Sequence, residues 1–209
     1  MVSKSIIFKT KKYYEKKLKS HGNNFKGMNW SSKKSQYIRF AEITKNTNLA
    51  NKTIHDVGCG NGEFLNYLIK KKVKYKNYLG SDISKEMVNL SKLRYKKNKK
   101  NNFVLFSQKK YLTSKKFDYV ISSGLFNVKN NFSNKKWEVY IFKMMALLFK
   151  RTRKCLIINF LTFDVEYKEK NLFYMSVDKL VAFTRKNLSK KIFINHQYNL
   201  WEYTIEIYR

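Results

Sequence analysis

Asp56, Gly58, Gly60, Gly62 and Asp82 are the residues of this 209-residue chain whose types and spacing point most directly to chemistry. The run Thr53-Ile54-His55-Asp56-Val57 is short and apolar enough for a buried strand, and Glu63-Phe64-Leu65 opens an amphipathic helix. Between them the glycines let the backbone turn sharply and remove the Cβ atoms that would hold a ligand away. The helix start at Glu63 offers unpaired N–H groups and the positive end of a dipole. A dinucleotide-binding loop would need a third glycine at position 63, where this chain has Glu63; the pattern here is Asp-x-Gly-x-Gly-x-Gly. Asp82 follows at the end of the next apolar run, where a carboxylate can accept hydrogen bonds from both hydroxyls of a ribose. It could instead only cap the helix that begins after Ser84. Asp56 could serve a ligand or merely fix the glycine loop.

That glycine pattern resembles the first motif of the class I S-adenosylmethionine-dependent methyltransferases. Two further stretches, Trp30 to Phe40 with its Ser35-Gln36-x-x-Arg39-Phe40, and Phe117 to Asn127, are similar to segments of a group of bacterial members. In that group the chain also ends in a strand like Trp201-Glu202-Tyr203-Thr204-Ile205, so the resemblance covers nearly the whole chain. It implies S-adenosyl-L-methionine as cofactor, held by Gly58, Cys59 and Gly60 of the loop and by Asp82 with Ile83. Asp56 would lie near the cationic methionyl part and Gln108 near the adenine, although Ser107-Gln108 departs from the commoner Gly-Asp. Ser123, Leu125 and Phe126 would flank the reactive end, with Phe126 alternatively a core residue. Gln36 and Arg39 would reach the cofactor's carboxylate or cover its pocket, or else lie on a solvated helix face.

The elements that must position these residues alternate as strand and helix from residue 53, the pattern of a parallel sheet covered on both faces. Strands are expected at 53–57, 78–82, 103–106, 118–122 and 155–160. Helices are expected at 63–72, after a Ser84 cap, at 137–151, and after a Ser176 cap to about 188. The end reads as two strands, 191–198 and 201–208, joined near Asn199. A closing hairpin of this kind is the known ending of class I methyltransferases. The expected architecture is therefore a Rossmann-like α/β fold with a mostly parallel seven-stranded sheet and a C-terminal antiparallel hairpin. Before the sheet, helices at 10–21 and after a Ser31 or Ser32 cap make residues 1–50 a helical lid over a methyltransferase domain at 51–209.

Composition bounds the rest. The chain is strongly basic, at +31, but it carries 39 Lys to six Arg, much Asn and no Pro, a balance that an AT-rich genome imposes on any protein. Cys59 and Cys155 lie far apart with no Cys-x-x-Cys or His pair, which argues against a disulfide framework or zinc site; no metal is expected. Ile6-Ile7-Phe8 is too short for a signal peptide and no run approaches a membrane span, so a cytoplasmic protein is expected. Without Pro, the Pro-containing signatures of adenine-N6, cytosine-N4 and cytosine-C5 enzymes are excluded. The leading expectation is O- or N-methylation of a small molecule such as a sugar or other metabolite. A tRNA or rRNA methyltransferase and a non-catalytic cofactor-binding protein are the alternatives, with only weak, salt-sensitive polyanion binding expected. His55, in a buried strand, reads as structural; His196 falls in the hairpin; His21, Tyr13, Tyr14 and Tyr174 leave the identity of any catalytic base open, as is the oligomeric state.

Overall fold

A computed structural model describes residues 3–107 and 115–209; Gln108, the residue expected near the adenine, lies outside them. Two helices, α1 (Lys4–His21) and α2 (Lys33–Lys45), precede β1 (Thr53–Val57), α3 (Glu63–Lys70), β2 (Asn77–Asp82), α4 (Lys85–Arg94), β3 (Asn101–Leu105) and β4 (Phe117–Ser122). The chain continues through α5 (Asn134–Lys150), β5 (Thr152–Thr162), β6 (Tyr174–Met175), α6 (Val177–Asn187), β7 (Ile192–Asn195) and β8 (Glu202–Tyr208). The helix starts follow from short hydroxyl side chains: Ser32, Ser84, Ser133 and Ser176 each accept a hydrogen bond from the backbone N–H three residues on.

The strands form one sheet in the order β3-β2-β1-β4-β5-β8-β7, with β6 paired to β5 off that path. The eighth strand is a correction to the expected seven: residues 174–175 are too few to show a period-2 pattern. The first five strands run parallel, and β8 lies antiparallel between β5 and β7, so the two last strands close the sheet as a hairpin. β1 and β4 are neighbours, which places the ends of the two segments that follow them side by side at the carboxyl edge, where the strand order switches direction.

Two apolar clusters cover the sheet. One gathers α5 residues Trp137, Ile141, Met144, Met145 and Leu148 over Val120, Leu156, Ile158 and Ile205. The other gathers Phe64, Leu65 and Leu68 of α3 over Ile54, Ile121 and Ile157. The alternation Leu156, Ile157, Ile158 between the clusters is the period-2 pleat of a strand buried on both faces. The N-terminal helices divide between them. Ile6 of α1, 1% exposed, joins the first cluster, and Phe40 and Ile43 of α2 join the second. The chain joining α1 to α2 therefore connects the two faces, and it brings Met28 and Trp30 against the carboxyl edge. No helix among the described residues is long and apolar enough to cross a membrane.

Candidate active site

The turn after β1 is built as the glycine spacing requires. Gly58, Gly60 and Gly62 have φ of 79°, 53° and 79°, in the left-handed region that side chains disfavour. The N–H groups of Gly58 and Cys59 donate to the Ser81 carbonyl, and that of Gly60 donates to Asp82 Oδ2 at 3.0 Å. Asp82 Oδ1 accepts the Ser84 N–H at 2.8 Å, so the carboxylate organises the start of α4 as well as lining a cavity. Burial raises the Asp82 pKa, against the lowering effect of the N–H groups of Ser84, Gly60 and Ile83. Asp56, 2% exposed, accepts the Tyr78 hydroxyl at 2.5 Å. Burial pushes its pKa up to about 7, with the Tyr78 hydrogen bond lowering it and the negative charge of Asp82 raising it further.

The cavity, about 1040 Å³ with the open solvent at its mouth included, lies along the carboxyl edge of the sheet. Its floor is the glycine loop with Asp56, Asp82 and Ile83, and its other wall is Ser123, Gly124 and Leu125 with Tyr140 and Met144 of α5. Ile7, Thr10 and Tyr14 of α1, then Met28 and Trp30, roof it. A Cβ on Gly60 would sit 3.0 Å from Met28 Sδ, and one on Gly124 would fall 2.4 Å from the Trp30 indole, so the roof contacts backbone at both walls. Asn61 Nδ2 donates to Asn23 Oδ1 at 2.7 Å, fastening the roof to the glycine loop.

Of the residues expected to hold a cofactor, Gln36, Asp56, Gly58, Cys59, Gly60, Asp82, Ile83 and Ser123 line this one cavity. Two do not. Phe126 is fully buried, stacked on Phe160, and its carbonyl accepts the Trp137 indole N–H at 2.8 Å; the positive φ of Gly124 turns Leu125 to the cavity and Phe126 into the core. Arg39 is neither solvated nor in the cavity lining; it forms a two-pronged pair with Glu202. Sequence reasoning missed Ile7, Thr10, Met28, Tyr140 and Met144. The apolar pair Ile6-Ile7 was the available signal, since a helix begun at Lys4 would have put Thr10 on the buried side.

The histidines stand apart from the cavity. His55 Nε2 pairs with Ser81 Oγ at 2.8 Å, and burial pushes its pKa down to about 3, as fits a neutral structural imidazole. His21 and His196 are exposed. Tyr14 does line the cavity, and burial lifts its phenol well above the usual range, with Tyr13, Asp82 and Tyr140 adding to the effect. Tyr13 instead donates to Asn29 Oδ1 at 3.0 Å.

This residue set fits a nucleoside-bearing cofactor with a cationic centre. The glycines bare the backbone along the floor, and two carboxylates meet the cavity. Thr10 Oγ1 and Ser123 Oγ are buried without a hydrogen-bond partner among the described residues, although both residues line it. Such hydroxyls are the groups a bound polar ligand satisfies.

Comparison with known proteins points the same way. Residues 55–150 match a family model described as a methyltransferase domain. The protein named "Putative methyltransferase Rv1506c" of Mycobacterium tuberculosis is 30% identical over 155 residues, spanning 73% of this chain and 90% of that one. The magnesium protoporphyrin IX methyltransferase ChlM of Synechocystis PCC 6803, solved with bound SAH, superposes with a TM-score of 0.65 at 15% identity, covering 96% and 94% of the two chains. The DhpI-SAM-HEP complex gives a TM-score of 0.67 at 11% identity over 99% of both chains. The glycine loop with its paired Asp82, the sheet order with its antiparallel closing strands, and the mycobacterial relative together place the chain in the family of class I S-adenosylmethionine-dependent methyltransferases.

Proposed function

We propose that the chain transfers the methyl group to a small molecule with a largely apolar body, held between the α1 roof and the α5 wall. One observation carries this reading: that part of the cavity is lined by Ile7, Leu125, Tyr140, Met144 and Trp30, with Thr10 Oγ1 and Ser123 Oγ as its unpartnered polar groups. A sugar presents hydroxyls around its whole ring and would leave several of them unpaired against these side chains. An apolar body with one or two polar groups fits them better. The structural neighbours include both a magnesium protoporphyrin IX methyltransferase and a phosphoethanolamine N-methyltransferase, so the shared fold does not choose the acceptor and the cavity lining carries the reading.

When bound, S-adenosylmethionine supplies a methyl group already activated on a sulfonium. The protein's own residues have three tasks. Gly58 and Gly60 allow close approach of the backbone, and Asp82 accepts hydrogen bonds from ribose hydroxyls. The Asp56 carboxylate, when ionised, favours the cationic centre. Ile7, Met28, Trp30 and Leu125 exclude water and hold the acceptor in line, the main contribution asked of a protein whose donor needs no further activation. Burial keeps Tyr14 and Tyr140 protonated, so neither phenol serves as a base. An acceptor whose nucleophile carries no proton near neutral pH asks for none. The test is to incubate the protein with methyl-labelled cofactor and a cellular metabolite pool. Label should enter products extractable into organic solvent; label confined to water-soluble sugars or to RNA would contradict the reading.

A further inference from the structure

Arg39, Glu202 and Asn159 come from α2, β8 and β5, and in the fold they form one buried chain. Arg39 Nε donates to Glu202 Oε2 at 2.7 Å and Nη2 to Oε1 at 2.5 Å, the two-pronged geometry that a guanidinium and a carboxylate share. Asn159 Nδ2 donates to the same Oε2, and Asn159 Oδ1 accepts the Gly124 N–H at 2.8 Å. The central carbon of the Arg39 guanidinium lies 4.5 Å from the centre of the Trp30 ring. That ring closes the circuit, because it occupies the space where a Cβ on Gly124 would be. The circuit thus joins the cavity roof at Trp30 to the cavity wall at Gly124 by two routes, one by direct contact and one through a buried ion pair 163 residues apart in sequence.

We propose that Arg39, Glu202 and Asn159 are positioning residues that make the roof and the Ser123–Leu125 turn open and close together. This rests on reading the cavity as the methyl-transfer site. An ion pair at 7% and 1% exposure brings little net stability, because desolvating both charges offsets their attraction. Its geometry is nevertheless rigid, and removing either partner strands the other. A pair of that kind transmits position: the turn keeps its hydrogen bond to Asn159 only while Asn159 is held by Glu202, and Glu202 is oriented by the same guanidinium that carries Trp30. Asn159 could not be replaced by an aspartate without setting two carboxylates against each other.

Amide hydrogen exchange on the whole protein tests the coupling. Arg39→Lys keeps the charge but loses the fork and the flat stacking face. It should speed exchange in both 22–32 and 120–127 by about tenfold, while the centre of α5 is unchanged. Acceleration of 22–32 alone would overturn the proposal. Should that variant not fold, Trp30→Ala, at a half-buried position, is read at 120–127, where unchanged exchange would equally overturn it. A second arm measures binding of S-adenosylhomocysteine in a double-mutant cycle of Trp30→Ala and Asn159→Ser. Coupled losses, the second change adding less than about threefold once the first is made, are expected; full additivity contradicts coupling. Wild-type protein that bound no S-adenosylhomocysteine would sink the functional reading, and the exchange arm would still decide the coupling.

Discussion

At the scale of single residues, the two carboxylates of the cavity differ in what already holds them. Asp82 accepts N–H groups from Gly60 and Ser84, and its expected ribose contact is a charge-assisted one. Asp82→Ala should weaken S-adenosylhomocysteine binding by about 2 kcal/mol, read by calorimetry. Gly60→Val should abolish it, since a branched side chain there must adopt a positive φ and meet Met28. Asp56, with a pKa near 7, is protonated on the acid side and charged on the alkaline side of neutrality. Only S-adenosylmethionine carries a sulfonium, so its affinity relative to S-adenosylhomocysteine should rise between about pH 6 and 8, and Asp56→Asn should flatten that rise. The sign for stability is opposite. The folded state keeps a proton that the unfolded chain has lost, so the stabilising contribution of Asp56 is fully present below about pH 4 and is lost progressively as pH rises to about 7. Melting temperatures of wild type and Asp56→Asn from about pH 4 to 8 check it.

At the scale of elements, α1 is the part that sequence reasoning placed least well. Its apolar face is thin, Ile6 and Ile7 and then Tyr13, Tyr14 and Leu18 among many Lys, so the helical spacing in the sequence shows only from Thr10 onward. The helix nonetheless begins at Lys4, because Ile6 is taken up by the core cluster that includes Trp137 and Tyr140. Ile6→Ala should cost about 2–5 kcal/mol, the range for emptying a buried aliphatic site, measured by denaturant unfolding. The strand and helix series from Thr53 was legible because each element carries its own signal: a period-2 or continuous apolar run, a serine cap, a glycine turn. Pairings between distant elements carry no such signal. Arg39 gives no local sign of Glu202, and Phe126 stays open between cavity and core until the turn at Gly124 is seen. Ligand-dependent slowing of exchange across 10–45 is expected, since Thr10, Tyr14, Met28 and Trp30 all contact the cavity.

At the scale of the whole molecule, charge and cavity say different things. Lys is spread along nearly the whole sequence, in 70–76, 96–100, 109–116 and 190–191 among others, while Arg, the better residue for forked phosphate contacts, is scarce. Binding to RNA should therefore appear at low ionic strength and fall away near physiological salt, as counterion release dictates, without methyl transfer to tRNA or rRNA. A filter-binding series against salt, run beside a labelled-methyl assay on RNA, checks both halves. The glycine loop, Asp82, the β4 turn and the N-terminal roof converge on the cavity, the place proposed to hold S-adenosylmethionine for transfer to a small acceptor. The most direct measurement is calorimetric titration of wild type and Asp82→Ala with S-adenosylhomocysteine, alongside their melting curves. Saturable one-site binding to wild type is expected, strongly weakened in a variant that still melts cooperatively. No detectable heat from wild type at millimolar ligand would contradict it.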